Sequence, residues 1–190
     1  FVNDAVNLDS DYTISANPAG LRIGKPGNTI DVTVGVAVTS SGAIQLYGGN
    51  VTANADLKVT NASGILLKAM DDVVVGAGTD AATRRVVSTF GGPITLWSNA
   101  DFSGTGAIVT NNFTSFLSRG AKIMMAGSAS ANESSPTGFA VGSASTTSYK
   151  VSATDKAPGS GVRLASSAVS SNLTISSDGG DIVIQGSTSR

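Results

Sequence analysis

Side chains that could do chemistry are few in this chain, and most are aspartates placed in turns. The sequence has no His and no Cys, so it lacks the nucleophile–base pairs of serine and cysteine hydrolases and the usual zinc ligands. Of the 13 acidic residues only Glu133 is a glutamate. The net charge of −1 gives no electrostatic support for nucleic-acid binding. We therefore predict a protein that is not an enzyme, with no cofactor and no nucleic-acid partner.

Two polar turns are the best candidates for holding a cation. Asn99 and Asp101 belong to a run with oxygen-bearing side chains at alternate positions, and Asp178 and Asp181 flank two glycines. Such oxygens suit Ca²⁺, but neither run has the closing glutamate of an EF-hand loop. We predict tight turns at both places, with Ca²⁺ binding as the alternative.

Two charged pairs and two glycine-rich runs are further candidate sites in the sequence. Paired carboxylates can share acid/base work, but adjacent residues of an extended chain point to opposite faces. We expect Asp71–Asp72 to form a solvated turn, and Arg84–Arg85 to lie on a solvated strand edge. No Lys-Ser/Thr follows the glycine-rich runs 76–78 and 104–106, so we predict no nucleotide binding.

Three aromatic residues could contact a ligand or a neighbouring molecule. Tyr47 and Trp97 each follow a predicted core leucine, so on a strand they should point outward. Phe102 comes in the next turn. Exposed rings can stack on sugars or mediate lateral packing. The plainer alternative for these rings is packing on the surface or under a loop.

The elements that must position these residues are short strands that begin after a glycine. Units close to Gly-x-Ile-x-Leu recur, and their first core residues are Ile44, Ile65, Ile94, Ile123, Val162 and Ile182. Their separations are 21, 29, 29, 39 and 20 residues, a period typical of solenoid repeats. Coils stacked about 4.8 Å apart would pair every backbone group with the next coil. We predict one all-β domain over residues 1–190, a parallel β-solenoid of roughly 7–8 coils.

Three segments carry more specific expectations. The largest gap between units predicts an insertion or long loop near residues 127–148. The strict alternation of residues 29–39 predicts one long strand, in which Gly35 indicates a bulge or bend. Residues 111–119 are the best helix candidate, because three apolar side chains recur there at i, i+3 and i+4.

The alternative architecture is an antiparallel β-sandwich, since turn signals every 8–12 residues fit that fold too. The chain would then be a filament subunit whose N-terminal strand, within residues 1–14, adds to the sheet of the next copy. No end cap is visible in the sequence, and the open ends of a solenoid are pairing edges. Stacking between copies, or continuation of a longer chain, would supply the missing pairing.

Three segments resemble coils of bacterial filamentous-haemagglutinin-type proteins: residues 72–78, 91–108 and 173–184. The likeness covers about residues 40–125 and 160–186, and does not extend to 1–40 or 126–160. It implies a right-handed parallel β-helix, export across the envelope, and a role in adhesion, biofilm or cell contact. The chain is then expected to be a fragment of such a protein or a repeating subunit.

These observations predict a structural or adhesive extracellular protein that forms part of a bacterial cell-surface fibre. Its expected partners are copies of itself and host or matrix glycans. The alternative is a carbohydrate-binding or ice-binding solenoid, although Thr95 has no matching threonine at Gln45 or Leu66. No apolar run approaches the roughly 18 residues of a transmembrane helix, so we predict no membrane span.

Overall fold

The structure is a computed structural model that describes residues 6–8, 18–76, 84–110, 113–142, 160–164 and 173–188. The strands of these residues form three parallel sheets and one short strand pair. The described part of the chain contains no helix, and therefore none that is long and apolar enough to cross a membrane.

The three sheets each take one strand from successive circuits of the chain. Sheet 1 contains β2 (Leu21–Ile23), β5 (Ile44–Gly48), β8 (Ile65–Ala69), β11 (Ile94–Ser98), β14 (Ile123–Gly127) and β18 (Ile182–Ile184). Sheet 2 contains β1 (Val6–Leu8), β3 (Val32–Val34), β6 (Val51–Ala53), β9 (Val73–Val75), β12 (Ile108–Thr110) and β16 (Val162–Leu164). Sheet 3 contains β4 (Val38–Ser40), β7 (Leu57–Val59), β10 (Arg85–Ser88), β13 (Thr114–Leu117) and β17 (Thr174–Ser176). The extra pair is β15 (Ala140–Gly142) with β19 (Gly186–Thr188).

The chain passes from sheet 1 to sheet 2 to sheet 3, and each such circuit is one coil. Every pairing between the described strands is parallel. The predicted parallel β-solenoid is therefore confirmed, and the antiparallel sandwich alternative is wrong. Strands β2 to β17 trace five coils, β1 belongs to the coil before them, and β18 begins the coil after them.

The core is a set of apolar ladders that run through the stacked coils. Within sheet 1, Ile44, Ile65, Ile94 and Ile123 lie directly opposite one another, and all four are buried. Two residues further along each strand, a second ladder of Leu46, Leu67, Leu96 and Met125 is equally buried. The alternation places both ladders on one face of the strand, so burying them fixes the register of the coils.

One member of the predicted repeat series belongs to a different sheet. Val162 pairs with Ile108 in sheet 2, whereas Ile123 pairs directly with Ile182 in sheet 1. The distance between those two equivalent positions is therefore 59 residues. The fifth coil carries the predicted insertion, of which residues 128–142 are described and 143–148 lie outside the described residues.

Residues 29–39 form two strands rather than the single strand predicted, because the coil turns from sheet 2 to sheet 3 at Gly35–Ala37, where Gly35 indicated a bulge or bend. The best helix candidate forms no helix over its described residues: Phe113 lies in the corner before β13, and residues 114–117 are β13 itself. Phe116 is fully buried there between Val87 and Ile175 of the neighbouring coils, so its burial follows from ladder register and not from helical spacing.

The corner from sheet 3 to sheet 1 explains why glycine precedes so many strands. A Ser or Thr hydroxyl donates to the carbonyl oxygen three residues later at Thr89, Ser118 and Ser177. Coils approach closely at this corner: a Cβ at Gly92 would lie 2.0 Å from the Ser63 carbonyl oxygen of the coil below. Only a residue without a Cβ fits there unless the backbone moves.

Candidate functional site

The four candidate cation ligands lie at two different corners of the coil. Asn99 and Asp101 are in the turn from β11 to β12, between sheets 1 and 2. Asp178 and Asp181 are in the turn from β17 to β18, between sheets 3 and 1. The fold therefore makes two separate turns of them and not one combined site.

In the first turn, both side chains hold the backbone. Asp101 Oδ1 accepts a hydrogen bond from the Ser103 N–H at 3.0 Å, and Asn99 Oδ1 accepts one from the Gly104 N–H at 3.2 Å. Asn99 is buried, and its φ of 50° places it in the left-handed region that asparagine tolerates. The bond between Asp101 and the Ser103 N–H is that of an Asx turn, which agrees with the predicted tight turn.

In the second turn, the first aspartate bonds a side chain and not the backbone. Asp178 Oδ1 accepts a hydrogen bond from the Ser176 hydroxyl at 2.6 Å, while the Asp181 side chain is exposed. Among the described residues no three acidic side chains gather as a metal-ligand group. Ca²⁺ binding stays the alternative at both turns.

The acidic pair Asp71–Asp72 is only half solvated, which corrects the expectation of a solvated turn. Asp71 is exposed, whereas Asp72 is buried and accepts a hydrogen bond from the Ala107 N–H at 2.7 Å. In the two preceding coils Asn50 accepts from the Asp72 N–H, and Asp31 accepts from the Asn50 N–H. These side chains form a structural ladder along the corner between sheets 1 and 2.

Both carboxyls of the pair are harder to ionise than usual. Burial raises the pKa of Asp72, the hydrogen bond from Ala107 opposes that shift, and the charge of Asp71 adds to it. Burial also raises the pKa of Asp71, with further contributions from the charges of Asp101 and Asp31. Asp31, Asp71, Asp72 and Asp101 bring negative charge together at this corner. The buried Asp72 carboxylate, however, already accepts a hydrogen bond from the Ala107 N–H.

The basic pair also differs from expectation. Arg84 and Arg85 are half-buried rather than solvated. Arg85 Nε donates to the Asn54 carbonyl oxygen at 2.7 Å, and Arg84 Nη1 donates to the Ser115 hydroxyl at 3.2 Å. Each guanidinium therefore ties its coil to a neighbouring one.

The predicted aromatic residues Tyr47 and Trp97 lie on the outer face of sheet 1, with Lys68 directly between them in register. The Lys68 Nζ lies 3.5 Å from the centre of the Trp97 ring, and the Arg22 guanidinium carbon lies 4.9 Å from the centre of the Tyr47 ring. Alternating cations and rings on neighbouring coils thus form a ladder outside the core.

Both rings are nevertheless buried; Trp97 is only 2% exposed. Residues 128–137, which we call the covering loop, lie over this part of sheet 1. Trp97 Nε1 donates to the Ser128 hydroxyl at 2.9 Å, at the start of that loop. Phe102 is exposed, but it lies in the turn beyond β11. The three aromatic residues therefore do not form one exposed platform.

The covering loop is held in shape by Glu133, a residue that sequence reasoning did not select. Its carboxylate accepts hydrogen bonds from the Ser130 N–H at 3.0 Å and from the Thr137 hydroxyl at 2.7 Å. The Ala129 N–H donates to the same carboxylate. The Thr137 hydroxyl contributes most to lowering the pKa of Glu133. The only signal in the sequence was that this is the single glutamate of the chain.

Between the covering loop and sheet 1 lies an elongated cleft of about 410 Å³. Its floor is formed by outward-facing residues of four successive coils. The residues that line it include Gln45, Leu66, Thr95 and Met124 from the strands, Ala43, Gly64, Pro93 and Lys122 from the positions before them, and Ser134, Ser135 and Pro136 from the covering loop. Trp97 also lines this cleft.

A second hollow of about 450 Å³ lies on another side of the same loop. It is lined by Lys68, Asp101 and Glu133, among others, so it mixes charges of both signs. Burial lowers the pKa of the Lys68 amine, and the nearby charge of Glu133 opposes that shift.

Comparisons with protein-family models, with curated proteins and with solved structures find no match.

Proposed function

We propose that this chain is a non-catalytic structural and adhesive protein of the bacterial cell exterior. In this proposal its coils stack end to end with those of further copies and build a surface fibre. The likeness of several coils to filamentous-haemagglutinin-type repeats supports the adhesive role and the extracellular location.

The observation that carries the proposal is the open end of the apolar core. Ile182 and Ile184 occupy the same two ladder positions that are buried in β5, β8, β11 and β14, yet they are 45% and 41% exposed. Leu164, in the last described strand of sheet 2, is 38% exposed. Exposed apolar residues at core positions favour association, because covering them removes apolar surface from water.

The backbone at this end also favours stacking. Among the described strands, β16, β17 and β18 each pair with a neighbour on one side only. Unpaired N–H and C=O groups in a row are a template for another strand. At the opposite end, β1, β2 and β4 have their outer edges free of described partners in the same way. The two ends together could form a head-to-tail contact that repeats without closing.

The distribution of polar side chains supports a structural rather than a catalytic role. The buried polar side chains described above hold corners: Asp72 and Asn99 accept backbone N–H groups, and Thr89 donates to a carbonyl oxygen. The sugar-stacking alternative gains no support from Trp97 or Tyr47, since neither ring face is open to solvent.

Electron microscopy of the purified chain over a range of concentrations tests this proposal. We expect rods that lengthen with concentration and that have the width of a single solenoid. Uniform particles of single-chain size at high concentration would contradict it.

A further inference from the structure

We propose that the cleft under the covering loop binds an amphipathic organic anion, an unbranched apolar chain that ends in a carboxylate. This binding site is separate from the stacking ends of the solenoid, so it does not depend on the proposed fibre.

The floor of the cleft suits an extended apolar chain. It crosses four coils, and the three spacings of about 4.8 Å between them give a length of roughly 14 Å. Leu66, Met124 and Pro93 supply apolar surface along this length, and the almost fully buried Trp97 side chain borders the cleft. A cleft of this volume lies within the range of small-molecule sites, which are mostly apolar with a few placed polar groups.

The positive charge at the cleft favours a ligand that carries a negative charge. Lys122 is exposed, and among the described residues that line the cleft it is the only charged one. Because Lys122 belongs to the fifth coil, it lies towards one end of the floor, while Gln45 of the second coil lies towards the other. A cation at one end of an apolar trough complements a chain with a single terminal carboxylate.

The wall of the cleft is set in place before any ligand arrives. Glu133 holds the covering loop through hydrogen bonds within the loop, and Ser128 anchors it to Trp97. A site that is already formed loses little free energy to ordering when a ligand binds. Ser134, Ser135 and Thr95 also line the cleft, and their side chains carry hydroxyl donors.

Trp97 makes the proposal directly measurable, because it is the only tryptophan of the chain and it lines the cleft. We would titrate the full chain with dodecanoate and follow Trp97 fluorescence, with isothermal calorimetry as a second readout. Saturable binding with one site per chain is expected. Dodecanol, which has the same chain and no charge, should bind about tenfold more weakly.

Two substitutions with matched controls test the assignment to this cleft. Lys122→Ala should weaken dodecanoate binding about tenfold and leave dodecanol binding unchanged, whereas Lys58→Ala, an exposed lysine on sheet 3, should change neither. Leu66→Glu should abolish dodecanoate binding, and Thr52→Glu on the outer face of sheet 2 should not. The proposal is overturned if dodecanoate gives neither a fluorescence change nor heat, if dodecanol binds equally well, or if the two control variants lose binding as much as the cleft variants.

Discussion

The Lys68 ammonium lies 3.5 Å from the centre of the Trp97 ring, because the two residues are directly opposite each other on neighbouring coils. A cation over a tryptophan face is attracted by the ring's quadrupole, and more strongly when water is excluded. The same burial opposes this attraction, since it lowers the pKa of the Lys68 amine. The difference between the cation–π attraction and the cost of burying the charge sets how much this contact between the third and fourth coils stabilises the fold.

A double-mutant cycle separates these two effects. The cycle compares the wild type with Lys68→Met, Trp97→Leu and the double variant. We expect a coupling energy of about 1 kcal/mol when urea unfolding is monitored by circular dichroism. Lys68→Met alone reports both the lost attraction and the relieved burial of charge, so only the cycle isolates the contact. A cycle between Lys58 and Trp97 is the control and should give no coupling. Additive effects of Lys68→Met and Trp97→Leu would contradict the interaction.

The glycine at the corner before β11 is required for close stacking of coils. Gly92→Ala should lower the free energy of unfolding by about 1–3 kcal/mol, since the new Cβ would overlap the Ser63 carbonyl oxygen. Gly20→Ala is the matched control, because a Cβ there meets nothing nearer than 3.4 Å. Equal effects of the two substitutions in thermal unfolding would show that the corner has room that the structure does not indicate.

The buried carboxylate of Asp72 should be a cost to stability at neutral pH. Its pKa is raised in the folded state, so stability falls as the pH rises from the ordinary value of 3.8 through the folded value, and stays reduced above it. Asp72→Asn keeps an oxygen for the Ala107 N–H, as Asn50 does for Asp72 one coil earlier. We expect Asp72→Asn to be more stable than the wild type at pH 7. The difference should vanish at pH values below the ordinary pKa of 3.8, because the Asp72 carboxyl is then uncharged in the folded and unfolded states alike.

The acceptor matters more than the charge at this position. Asp72→Ala leaves the Ala107 N–H buried without a partner and should cost about 1–3 kcal/mol. Urea unfolding at a series of pH values measures both variants. A wild type more stable than Asp72→Asn at pH 7 would show that the carboxylate is favourable there.

Glu133 should control the access of solvent to Trp97. Glu133→Ala removes the acceptor that organises the covering loop, so acrylamide should quench Trp97 fluorescence more strongly than in the wild type. Glu133→Gln keeps part of the hydrogen bonding and should be intermediate, and Asp181→Asn, at a remote exposed carboxylate, should be unchanged.

Because the pKa of Glu133 is lowered from 4.5, the order of the loop is present above 4.5 and is lost as the pH falls through the folded value. If acrylamide quenched Trp97 in the Glu133→Ala variant no more than in the wild type, this role of Glu133 would be contradicted.

The apolar ladders could be predicted from the sequence because they are local. Ile94 and Leu96 alternate with outward residues after a glycine, and this pattern alone places them inside a strand. The same alternation occurs in all three sheets, so it could not tell that Val162 belongs to sheet 2. The i, i+3 and i+4 spacing of Phe113, Phe116 and Leu117 is not specific to a helix, because it also arises where a corner leads into a strand.

The burial of Trp97 could not be predicted from the local sequence pattern, because it depends on a segment more than thirty residues later in the chain. The alternation correctly indicates an outward-facing ring, but whether that ring meets water depends on where Ser128 and the covering loop lie. The cleft was missed for the same reason: its floor comes from four coils and its wall from the insertion. Such contacts have no local pattern.

The central claim, stacking through the open end of the core, is tested most directly by sedimentation velocity over a concentration series. The double variant Ile182→Lys/Ile184→Lys places charge at two exposed core positions, and Val183→Lys places it on the outward position between them. The wild type and Val183→Lys should form longer species as concentration rises, while the double variant stays a monomer with unchanged Trp97 fluorescence. A monomeric wild type, or assembly of the double variant to the same extent, would contradict the account.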